Sequence, residues 1–141
     1  MAINECLSEL LKEHSMSADA LARQIGLSGS IVRRWRRKTP AIKLEHLLRV
    51  AEYFKCSLDF LCGRVAEDKG FNKEAKPNFA AKIKTVIAES KIPIERVSKE
   101  TEIDRSNIYD WLNGVSMPTT TSLIRLAEYF KCTIDYLVGL E

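Results

Sequence analysis

No apolar run in this sequence approaches the ~20 consecutive residues that a membrane-spanning helix needs. The N-terminus, MAINECLSELLKEH, carries Glu5 and Glu9 early and lacks the basic-then-apolar layout of a secretion signal. A cytoplasmic protein with no membrane partner is the expectation. Cysteine is sparse: Cys6, Cys56, Cys62 and Cys132 include no C-x-x-C pair, and His14 and His46 add no metal-ligand spacing. The cysteines therefore read as small buried hydrophobes, with no metal site and no disulfide framework. A nucleophile–base pair and a phosphate-binding loop are missing too, so neither an enzyme nor a cofactor is expected. Strand signals are absent throughout, and the expected fold class is all-α.

What the chain does have is one stretch written twice. Residues 47–63 read LLRVAEYFKCSLDFLCG and residues 123–139 read LIRLAEYFKCTIDYLVG, with 11 of 17 positions identical at an offset of 76. The same offset, without a gap, places Trp35 on Trp111, Leu21 on Val97 and Leu7 on Ile83. A period this long means a duplicated domain and not a short-repeat solenoid. The expected division is a first copy at 1–64, a linker at 65–76 and a second copy at 77–141. Domains this small are marginal, but many fold alone. Fully extended, the linker reaches at most ~40 Å.

Net charge is +3 and unevenly placed. Residues 1–64 hold 11 Lys+Arg against 7 Asp+Glu, whereas residues 77–141 hold 8 against 9. Much of the excess sits in the run Arg33, Arg34, Arg36, Arg37 and Lys38, which points to a polyanion as partner of the first copy.

Apolar periodicity places five helices in each copy. In the first, 3–13 is amphipathic, Ser17 caps a short second helix, and Gly26 supplies the left-handed backbone of a sharp turn. Ser28 is expected to cap a third helix running to about Arg37. That helix divides by face: Ile31, Val32 and Trp35 on one side, and Ser30, Arg33, Arg34 and Arg37 on another. After Thr39-Pro40 a fourth helix covers about 44–54, and Ser57 caps a fifth at 58–62. The second copy repeats the plan at about 79–90, 94–100, 104–112, 119–130 and 133–138, with Asp104 and Thr119 as caps.

Two short helices joined by a glycine-containing turn make a helix-turn-helix pattern, here SADALARQIGLSGSIVRRWRRK at 17–38. The pattern L-A-x-x-x-G-[LV]-S, then Trp35, L-L-x-x-A and C-S-L-D-F-L-C-G, resembles the lambda-repressor-like family. That family includes the phage repressors, Cro and the XRE-type bacterial regulators. The resemblance runs through all five helices of both copies. It implies two tandem five-helix domains that bind double-stranded DNA, with the third helix of each laid in the major groove. Carried over by position, the base-reading candidates of the first copy are Gly29, Ser30, Arg33 and Arg34. An arginine there is able to fork onto guanine O6 and N7, worth ~1–3 kcal/mol of discrimination. Gly29 offers no side chain for such a role. Phosphate candidates are Ser17, Arg37, Lys38 and Lys43, which add affinity without sequence information. Trp35 and Trp111 are expected to pin their helices to the core.

The second copy departs from this pattern. Glu102 replaces the turn glycine, at a cost of ~1 kcal/mol if the backbone there is left-handed. Pro93 replaces the capping Ser17. Its base-reading candidates are Arg105, Ser106 and Tyr109, and its phosphate candidates Asn113 and Thr119. Asp110 is repelled by phosphates, although Asp accepts from cytosine N4. The leading expectation is a sequence-specific, repressor-like transcriptional regulator with two unlike half-sites. The alternative keeps DNA binding in the first copy and makes the second an oligomerisation or protein-interaction module, as in a homodimer or an antitoxin.

Overall fold

The computed structural model describes residues 2–37 and 40–141. Among the described residues there are ten helices, and the chain divides into two compact units between Phe71 and Asn72.

In the first unit, α1 (Ile3–Glu13) buries Ile3, Cys6, Leu7 and Leu11, one stripe at helical spacing. Helix α2 (Ala18–Ile25) begins at Ser17, whose Oγ accepts from the Ala20 N–H at 3.0 Å. It stops at Gly26, which has φ +74°, and the Leu27 N–H returns to Ala22 O at 2.9 Å. Helix α3 (Gly29–Trp35) buries Val32 and Trp35. Helix α4 (Leu44–Phe54) buries Leu44, Leu47, Val50 and Ala51, and α5 (Leu58–Leu61) closes the core with Leu58 and Leu61. Asp59 is buried beside them and is held by Arg64, Nη1 to Oδ1 2.5 Å. Asp68 accepts from the Ser57 N–H at 2.9 Å and the Gly70 N–H at 2.8 Å. In this way residues 65–70, inside the stretch expected as linker, are tied to the first unit.

The second unit repeats the plan with α6 (Phe79–Ser90), α7 (Ile94–Thr101), α8 (Arg105–Leu112), α9 (Thr120–Phe130) and α10 (Ile134–Val138). Helix α6 is capped by Asn78 Oδ1, which accepts from the Ala81 N–H at 3.1 Å, and α10 by Thr133 Oγ1, which accepts from the Tyr136 N–H at 3.0 Å. The chain between Phe71 and α6 is tied in by Asn72 Nδ2, which donates to Leu140 O at 3.3 Å.

The repeated stretch builds the same corner twice. Lys55 and Lys131 both take the left-handed backbone, at φ +56° and +55°. The next N–H, of Cys56 or Cys132, donates to the carbonyl of Ala51 or Ala127 at 3.0 Å. Arg49 and Arg125 reach back to the end of the second helix of their own unit. Arg49 Nη1 donates to Ile25 O at 3.2 Å and Arg125 Nη1 to Glu102 O at 3.4 Å, where cations meet the negative end of a helix.

Three local expectations need correction. Helix α3 ends at Trp35, with Arg36 as its cap, so Arg37 stands beyond the helix. Ser28 holds the cap position but its hydroxyl pairs with Ser30 Oγ at 3.2 Å instead of a backbone N–H. Thr119 likewise holds the cap position of α9 without a side-chain cap bond.

Candidate nucleic-acid interface

The sidedness of α3 comes from where its apolar residues are anchored. Trp35 and Val32 are 5% and 1% exposed, and the Trp35 ring lies 6.0 Å from the His46 ring on α4. Burial of that kind holds the helix by its inner face and leaves Ser30, Arg33, Arg34 and Arg37 exposed. Gly29, at the first turn, is half-buried. Ser17 is exposed at the start of α2, with its oxygen already accepting the cap bond. Lys43 is exposed at the start of α4. Lys38, the remaining phosphate candidate of this copy, lies outside the described residues.

Arg34 and Lys43 come together. Among the described residues they line one open cleft of about 430 Å³ with Ile31, Trp35, Pro40 and His46. Two cations flanking an aromatic floor suit the approach of a phosphate-bearing chain. Burial, aided by Lys43 and Arg49, moves the His46 ring below its ordinary pKa, while Glu45 opposes that shift.

Arg33 does not stand alone. Its Nη1 pairs with Asp19 Oδ1, across the turn from α2, and both side chains are more than half exposed, at 56% and 57%. An exposed pair of this kind contributes ~0–1 kcal/mol to stability. Sequence reasoning missed Asp19. Its spacing from Arg33 fits neither helical periodicity nor a known motif, and only the crossing of α2 over α3 makes them neighbours.

In the second unit α8 is anchored the same way by a different partner: Trp111 packs edge-on against Phe79, with ring centroids 5.8 Å apart. Arg105, Ser106 and Tyr109 are exposed on its outer side, Asp110 is half-buried and Asn113 caps its end. Thr119 is half-buried at the start of α9. Asp104 caps α8 through the Ser106 N–H at 2.9 Å and takes a second bond from the Ser106 hydroxyl at 2.8 Å. Those two bonds lower its carboxyl pKa. Ser106 therefore arrives with its hydroxyl engaged. Apolar residues are exposed on α8 and just after it: Tyr109 is 41% exposed, Val115 72% and Met117 44%.

Among the described residues no cluster of three or more His, Cys, Asp or Glu is placed to hold a metal ion. No helix among them is long and apolar enough to cross a membrane.

Comparison with known proteins agrees with this geometry. Residues 6–67 match the Cro/C1-type HTH DNA-binding domain, and residues 80–141 match a helix-turn-helix domain. No curated protein and no solved structure matches the chain. The matched segments contain α2–α3 and α7–α8, each a pair of helices joined by a tight turn. The chain belongs to the Cro/XRE-type helix-turn-helix family, with two helix-turn-helix domains in tandem.

Proposed function

We propose that the protein is a sequence-specific, repressor-like transcriptional regulator that reads duplex DNA with α3 of the first copy and α8 of the second. The observation that carries this reading is the division of α3. Trp35 is buried while Arg33 and Arg34 are exposed, on the second helix of a helix-turn-helix. A surface so charged favours the electronegative major groove, where arginine pairs with guanine. Arg37, Lys43 and Ser17 surround it as phosphate contacts, which set register and not sequence. Residues 1–64 and 77–141 act as the two readers, joined through 65–76.

The copies differ where they would read. Gly29, Arg33 and Arg34 are replaced by Arg105, Tyr109 and Asp110, so the preferred site is asymmetric, with unlike half-sites. Asn113 and Thr119 serve the phosphates of the second half-site. Selection of bound sequences from a random duplex pool, followed by mobility shifts, tests this. Arg33→Ala with Arg34→Ala is expected to weaken the selected site by at least about tenfold. An unchanged sequence preference in that variant contradicts the reading.

A second reading is favoured by the exposed Tyr109, Val115 and Met117 and by the acidic balance of the second copy. There the second copy binds a protein, or another copy of the chain, in place of DNA. Arg105→Ala in the full chain separates the two. Altered preference in one half of the selected site assigns α8 to DNA; an unaltered site with lost self-association assigns it to protein.

A further inference from the structure

We propose that Asp19 is a positioning residue for Arg33, fixing which base pair the first copy reads. The proposal rests on the assignment of α3 to the major groove. Three residues form the unit. Arg33 Nη1 is paired with Asp19 Oδ1, and Gly29 leaves the space in which that carboxylate sits. A Cβ on Gly29 would collide with Asp19 Oδ1 and would also stand 2.9 Å from Arg33 Nη1 and 3.0 Å from Asp19 Cγ. Gly29 has no positive φ to demand glycine, and a side chain added there would meet only the exposed ends of Asp19 and Arg33 and push the carboxylate aside.

The consequence follows from the shape of a guanidinium. Its five N–H donors lie in one rigid plane. With one nitrogen held by Asp19, the swing of the plane is restricted, and the remaining N–H edge is presented in one direction. An unrestrained arginine at an exposed helix position would sample many rotamers and turn readily to the nearest phosphate. The Asp19 carboxylate opposes both, because it tethers the head group and repels phosphate oxygens. It therefore exchanges general affinity for discrimination. The second copy has no such unit. Glu95, Arg105 and Tyr109 stand at the matching positions, so a side chain fills the glycine's place and the guanidinium is gone from the pairing position.

The test uses the full chain and its selected duplex, every single-base-pair variant of that duplex, and one unrelated duplex of equal length. Arg33→Ala first identifies the base pair that Arg33 reads. Asp19→Asn keeps the shape and removes the charge; Gly29→Ala keeps the charge and displaces the carboxylate. Both are expected to reduce discrimination at that one base pair by about fivefold, the most that an exposed pair sustains. Asp19→Asn is further expected to bind the unrelated duplex more tightly. Full discrimination in both variants, with Arg33→Ala defective, overturns the role of Asp19 and leaves α3 as the reader. Equal losses at every position, with a lowered melting temperature, also overturn it, because that is the signature of a structural role. If Arg33→Ala loses nothing at any position, the assignment of α3 falls, and this proposal falls with it.

Discussion

The two tryptophans are the residues on which the reading surfaces turn. Trp35 and Trp111 are 5% and 4% exposed, and each holds its helix by one side only. Truncating either to alanine removes the anchor and opens a large cavity, at a cost of about 3–5 kcal/mol to its own unit. Urea unfolding followed by NMR resonances of each unit is expected to show the loss in the substituted unit. A small loss in both would mean that the indoles are not anchors. His46 acts beside Trp35. Burial depresses its pKa from an ordinary value of 6.5, so the unfolded chain takes up the proton first as pH falls. Its contribution is complete above pH 6.5 and is lost as pH drops towards the depressed value. The second copy contains no histidine, and its perturbed carboxyls, Glu100 and Asp104, are lowered by hydrogen bonds and matter only at more acidic pH. Between pH 7 and pH 5.5 the first unit should lose stability, and His46→Gln should remove that dependence; a slope unchanged in the variant would assign it elsewhere. The faces of α3 were legible from the spacing of Ile31, Val32 and Trp35, because helical period alone decides them. The Asp19–Arg33 pair was not, since it depends on how two helices cross.

At the scale of the element, the duplicated corners show what a backbone tolerates. The second helix ends in left-handed backbone in both copies, at Gly26 with φ +74° and at Glu102 with φ +59°. An L-residue there is strained and glycine is not, so Glu102→Gly is expected to stabilise the second unit by about 1 kcal/mol. The matching Gly26→Glu should destabilise the first by a similar amount; the thermal midpoints of each unit check both. The sequence pattern showed this site because the repeat lined Glu102 up with a glycine. Helix bounds were less legible. Nothing between Trp35 and Thr39 stops a helix by composition, yet α3 ends at Trp35. Ser28 and Thr119 carry the right hydroxyls for capping, but one turns to Ser30 and neither bonds a backbone N–H. Propensity names the residues suited to a cap, and packing decides which of them is used.

At the scale of the molecule, the repeat made two domains visible, since identity at a fixed offset needs no structural knowledge. Family membership was legible for the same reason, because the matching residues are mostly core and turn positions set by packing. The reading residues are the ones in which the copies diverge. Only Ser30 and Ser106 are alike among the outward positions of α3 and α8. Packing does not constrain exposed positions, so their roles are a matter for binding measurements. The most direct one is dimethyl sulfate footprinting of the selected duplex, because the reagent attacks guanine N7 on the floor of the major groove. Major-groove reading by α3 requires that the wild-type chain protect at least one guanine N7, and that Arg33→Ala with Arg34→Ala expose it again. Protection that persists in that variant, or binding that leaves every guanine N7 reactive, would contradict it.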